Sequence, residues 1–201
     1  MRRIFLVIPI SAALIAGLVV FKLNRRYEPV IEEPVIEVRP APDFKLYDQH
    51  SQIVRLERYI GRDHKLLIAF FDGRQGPERS SLLSLLRERN SDFQRAGGVV
   101  VAISALRPSE IRYGIGLGHL HGTPADGAPS AASEIQYPFP VLSDIVDYEV
   151  HKRYGAFDEK AQVPIEAVFV VDRAGWIQYA HYGPGGLGGV EDWLRELREV
   201  R

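Results

Sequence analysis

Two stretches of this chain are apolar without interruption and short enough to be strands. Lys65–Phe71 (KLLIAFF) and Val99–Ser104 (VVVAIS) carry no polar alternation, which predicts strands buried on both faces. Between them, Pro77–Arg95 has the helical pattern. Leu82, Leu85, Leu86 and Phe93 fall on one stripe and charges fill the other, and Ala96-Gly97-Gly98 ends the helix. Phe44–Tyr47 and Ile53–Leu56 alternate around Asp-Gln-His-Ser and predict a small hairpin. Pro108-Ser109-Glu110 opens a short helix, Phe139–Leu142 reads as a short strand, and Tyr148–Tyr154 as a helix closed by Gly155. Ile165–Val171 and Trp176–His181 predict strands joined at Asp172-Arg173-Ala174-Gly175. Val190–Val200 is amphipathic, with Val190, Trp193, Leu194 and Leu197 inward. Strands alternating with helices before a terminal hairpin predict a mixed α/β sheet covered on both faces, over residues 41–201.

The first 40 residues follow a different pattern. Ile4–Phe21 is an uncharged run of 18 residues, and a helix of that length spans roughly 27 Å, close to a bilayer's hydrocarbon core. With basic flanks, residues 1–26 read as an N-terminal transmembrane anchor in contact with lipid through residues 4–21. A cleaved signal peptide is the alternative, but no cleavage site is evident. Basic residues lie on both sides of the run (Arg2 and Arg3; Lys22, Arg25 and Arg26), so charge alone leaves the orientation nearly undecided. Residues 27–40 form a Pro/Glu-rich linker in which Glu-Pro-Val-Ile-Glu occurs at 28–32 and again at 33–37. Such a composition favours an extended tether; an edge-pairing strand is the lesser reading. Residues 118–135, rich in Gly, Ala, Pro and Ser, predict a long surface loop.

Composition then narrows the chemistry. The chain has 201 residues with 25 basic and 26 acidic ones, and shows no basic stripe of the kind that nucleic acid requires. It has no cysteine, which rules out disulfides, thiolate metal sites and thiol redox catalysis by its own residues. His119 and His121 lie too sparsely for a metal site, and Gly183–Gly189 matches no Walker pattern. Neither a metal nor a cofactor is therefore expected. Asp144 and Asp147, and Asp158 and Glu159, read as helix-end caps or solvated residues, and His151 as a packed or exposed helix residue.

Five segments, in order, resemble the peroxiredoxin (AhpC/TSA, redoxin) family of the thioredoxin-like superfamily. Ala41-Pro42-Asp43-Phe44 is similar to its opening motif, and Tyr137–Asp144 (YPFPVLSD) to its FPLLSD segment. Tyr154-Gly155-Ala156-Phe157 resembles the Tyr-Gly that follows. Val163-Pro164 is similar to the Val and cis-proline before a strand. Val170–Ile177 resembles the family's ID-x-x-G-x-I hairpin. The resemblance implies a thioredoxin-like fold and, in intact members, antioxidant thiol chemistry. Because tethered domains of this kind usually face outward, it also implies an extracytoplasmic domain.

The departures fall on that chemistry. Where the family has Phe-Tyr-Pro, this chain has Phe70-Phe71-Asp72. Where it has Thr-Pro-x-Cys-Thr, this chain has Gly76-Pro77-Glu78-Arg79-Ser80. Arg79 thus stands at the peroxidatic position, and the place of the family's thiol-activating arginine holds Glu166. Ser80 or Ser81 can cap the helix, but a hydroxyl has no route to a sulfenate. No catalytic residue is identified. The resemblance and its departures imply a non-catalytic binding module for a protein partner or small anion, with Arg79, Asp72, Pro164 and Glu166 as the candidate surface. Oxidoreductase work with a partner's thiols and a structural scaffold are the alternatives.

Overall fold

The central strand must be apolar on both sides because both of its faces are roofed. The computed structural model describes residues 38–115, 134–183 and 189–199. Strand β4 (Lys65–Phe70) sends Leu67, Ala69 and then Phe71 into one core, and Leu66, Ile68 and Phe70 into the other. It runs parallel to β5 (Gly98–Ser104) and antiparallel to β9 (Ala167–Val171).

Around these lie β1 (Arg39–Pro40), β2 (Lys45–Asp48), β3 (Ile53–Arg55), β6 (Val141–Ser143) and β10 (Trp176–Tyr182). The eight-stranded order is β1-β10-β9-β4-β5-β6-β2-β3. A separate ladder pairs β7 (Phe157–Asp158) with β8 (Val163–Pro164). The first core takes side chains from α1 (Ser81–Glu88), α2 (Asn90–Arg95), α3 (Pro108–Tyr113) and α5 (Val190–Glu199), and α4 (Glu149–Tyr154) roofs the second. This is the α/β mixed sheet with helices on both faces that the apolar pattern predicts.

Several boundaries differ, each for a local reason. The helix expected over 77–95 is three pieces: a 3₁₀ turn at Pro77–Arg79, then α1, then α2. Ser80 breaks the first junction, where its hydroxyl accepts the Leu83 N–H at 3.1 Å as the cap of α1. Arg89 breaks the second with ψ near 9°. The kink turns Leu83 inward and leaves Leu85 only partly buried, whereas Leu82, Leu86 and Phe93 are buried as expected. The linker does not remain free to residue 40: Arg39 and Pro40 pair with Ile177 and Trp176 at the sheet edge. The Val163–Pro164 peptide is trans, where the family resemblance implied cis. Both residues are extended and paired with the β7 strand, and the ordinary X–Pro preference for trans prevails.

The run 4–21 and the linker before Val38 lie outside the described residues, as does the predicted loop except for Glu134 and Ile135. Among the described residues, no helix is long and apolar enough to cross a membrane.

The fully buried Leu86 joins α1 to the first core. Leu86→Ala is expected to cost about 2–5 kcal/mol of unfolding free energy. Urea denaturation followed by circular dichroism measures it.

Candidate functional site

The parallel strands β4, β5 and β6 end on the same edge of the sheet, the edge where open α/β sheets hold their ligands. Beyond β4 the chain makes a tight loop. The Gly76 N–H donates to the Gly73 carbonyl at 2.8 Å, and Gly76 has φ 102°, a conformation that only glycine adopts without strain. A Cβ at Gly73 would come within 2.6 Å of Leu106. The loop is therefore pressed against the β5–α3 connection, and it delivers Pro77 buried and Glu78 and Arg79 exposed.

Asp72 and Arg74 form the rigid part of this loop. The Arg74 side chain donates to both carboxylate oxygens, with Nε at 2.9 and 3.0 Å and Nη2 at 2.7 Å, and the Arg74 N–H adds a bond at 3.0 Å. Partial burial pushes the Asp72 carboxyl up, but the bonds and charge of Arg74 outweigh it and hold the group below its usual range. Glu78 is engaged by Arg87 at 3.0 Å, and the Arg87 guanidinium lies over the Tyr137 ring at 5.5 Å.

These pairings decide the position of Arg79. The two acidic residues of this loop, Asp72 and Glu78, are held by other arginines. Among the described residues Arg79 forms no ion pair. It sits one residue before the Ser80 cap of α1, where the first helical N–H groups have no carbonyl of their own. A cation beside the positive end of a helix is mildly unfavourable, and a bound anion relieves both charges.

Glu166 comes just before β9, and Phe70 pairs with the residue after it, Ala167. It is half-buried. Burial raises its carboxyl pKa, and the Asp72 charge raises it further, partly offset by the nearby Asp72 main chain. The structure thus brings Asp72 and Glu166 into electrostatic contact. No hydrogen bond or ion pair among the described residues joins either to Arg79 or to Pro164, which lies half-buried in the β7–β8 ladder.

One polar pair escapes the sequence reading. Asp144, just past β6, accepts both the main-chain N–H of His151 at 2.8 Å and its ring Nδ1 at 2.7 Å. Both residues are almost wholly buried. The expectation that Asp144 caps a helix end holds in that its carboxylate takes an N–H of α4. The ring contact has no sequence signal beyond a spacing of seven. Asp147 is exposed, and Asp158 accepts the N–H groups of Lys160 and Ala161 in a turn. His119 and His121 lie outside the described residues, as does the middle of the Gly183–Gly189 run; no metal-ligating cluster occurs among the described ones.

Residues 38–180 match the AhpC/TSA family. Alkyl hydroperoxide reductase E of Mycobacterium tuberculosis is 32% identical over 162 residues, covering 78% of this chain and 92% of that protein. The crystal structure of peroxidoxin BcpB from Mycobacterium tuberculosis superposes with a TM-score of 0.62 at 17% identity, covering 82% of this chain and 97% of that one. The reduced 2-Cys peroxiredoxin of Plasmodium vivax does so with 0.56 at 18% identity, covering 82% and 81%. The fold likeness is that of thioredoxin-like proteins.

The raised carboxyl of Glu166 has a consequence for stability. The folded state binds this proton more tightly than the unfolded chain, so its contribution falls as pH rises from the ordinary glutamate value, about 4.3. Glu166→Gln is expected to melt above the parent at pH 7, and the gap should close below about pH 4, where both carboxyls carry their proton. Paired melts across pH 3.5–8, an interval spanning the titration of ordinary carboxyls, check the sign.

Proposed function

We propose, from the premise that this chain belongs to the AhpC/TSA family, that it is a cysteine-free member working as a binding module and not as a peroxidase. The family's reaction needs a thiolate that is oxidised to a sulfenate, and this chain has no sulfur except that of its single methionine. The observation that carries the reading is the exposed Arg79, which the family resemblance aligns with the peroxidatic position, with Asp72 and Glu78 held by Arg74 and Arg87. A loop that presents there a cation with no ion pair among the described residues is suited to hold an anion, either a small one or a carboxylate on a partner protein. Glu166 sets the limit of that surface, because a carboxylate ligand placed towards it would meet Asp72 and Glu166 together.

In this reading the N-terminal apolar run anchors the protein and the Pro/Glu segment carries the domain away from the bilayer, on the extracytoplasmic side. The support is the length of the run, the composition of the linker and the habit of similar tethered domains.

Pull-down from native membranes with the full chain and its Arg79→Ala variant tests the reading. A partner retained by the parent and lost by the variant is expected. Capture that is equal in the two abandons the Arg79 face in favour of a scaffold. The purified protein should also leave hydrogen peroxide and organic hydroperoxides unreduced in the presence of dithiothreitol. Turnover above the buffer rate would overturn the non-catalytic reading.

A further inference from the structure

A second cleft lies on the same edge of the sheet, on the far side of β5 from the Arg79 loop. Strand β2 pairs with β6 only at Tyr47↔Ser143 and Asp48↔Leu142. Before Tyr47 the two chains part, and a cleft of about 470 Å³ opens between β2, the chain leaving β6, and α4. That volume lies within the range of small-molecule sites, about 300–1,000 Å³. Its apolar lining includes Phe44 and three side chains with large exposed surface: Tyr47, Ile145 and Val146.

The charges around the cleft are not balanced. Asp43 and Lys45 stand at its β2 wall, one of each sign. Glu149 faces Arg153 at 3.7 Å on the α4 wall. Asp144 is the remaining carboxylate, and it lines the cleft although only 2% exposed. Its Oδ2 takes both bonds from His151, and its Oδ1 accepts no hydrogen bond among the described residues. The His151 ring donates from Nδ1, and its Nε2 is buried without a partner, edge-on to Phe70 at 4.9 Å.

A carboxylate with one oxygen free of protein hydrogen bonds among the described residues, lining an apolar cleft with exposed rim side chains, suits a particular chemistry. We infer that this cleft binds a small amphipathic amine: its ammonium group donates to Asp144, and its aromatic or alkyl body lies on Tyr47, Ile145 and Val146. The site is separate from the Arg79 face, so neither reading depends on the other.

The test is an NMR titration of the full-length ¹⁵N-labelled protein with benzylamine, against benzyl alcohol and benzoate as neutral and anionic counterparts. Benzylamine should shift the Tyr47, Ile145, Val146 and His151 amides saturably. The other two should bind at least about tenfold more weakly, because neither makes a doubly charged hydrogen bond to the carboxylate. Asp144→Asn should lower benzylamine affinity by a similar factor. Should that variant not fold, Val146→Lys decides: the position is 74% exposed, tolerates substitution, and places a repelling cation at the rim. Arg79→Ala should change nothing. Absence of saturable shifts at these amides, equal binding of benzyl alcohol, or unchanged affinity in Val146→Lys would overturn the inference.

Discussion

Strand β4 has neighbours on both edges and cores on both faces, and the rest of the molecule is arranged to meet that demand. Every residue from Lys65 to Phe70 is buried. A strand in that setting has no polar alternation to fix which side faces which core. The fixing comes from register with β5 and β9, where Leu67 opposes Val100 and Val170. Leu67, Val100 and Val170 share one core, whereas Ile68, Val101 and Phe169 share the other. A slip of one residue would exchange the two sets along the whole strand, so the register is strongly specified. The chain leaving β4 therefore emerges at a fixed point, and Asp72, Arg74 and Arg79 are placed by that point.

The loop on the same edge is held without any need for a thiol. The Gly73–Gly76 turn, the buried Pro77 and the Ser80 cap hold the loop through main-chain geometry and one hydroxyl. None of these elements needs a thiol. What a thiol would need is electropositive surroundings, and here the neighbourhood of β9 contributes Glu166, with a carboxyl raised by burial and by Asp72. The sheet side carries Asp72 and Glu166, while the helix side carries Arg79, which has no ion pair among the described residues. Such a polarised surface discriminates by the direction from which a charged ligand approaches.

Much of this was legible in the residues, and the parts that were not share a cause. The buried strands, the terminal hairpin and the inward face of Val190, Trp193, Leu194 and Leu197 follow from period and apolarity, which are local. So does the loss of the thiol, because a missing element needs no geometry. Arg74 as the holder of Asp72 was within reach, two positions away in a turn. The break at Arg89, the trans Val163–Pro164 bond and the pairing of Arg39–Pro40 are decided by backbone geometry and strand pairing. Periodicity carries no information about those.

His151 makes the same point for polar groups. On a helical wheel it is an ambiguous residue, and burial next to Phe70 would ordinarily exclude it. It is tolerated because Asp144 meets its main chain and its ring together, satisfying one end of the imidazole and one end of the carboxylate. The ring is left with Nε2 buried without a partner beside Phe70 and Tyr148, whereas Oδ1, which takes no hydrogen bond from the described residues, belongs to a side chain that lines the cleft. A helix cap alone would need only the N–H bond, so an uncharged asparagine in place of Asp144 would serve that role equally. The carboxylate charge exceeds what the cap needs, and it lies at the open apolar walls of the cleft, where the inferred ammonium group would meet it.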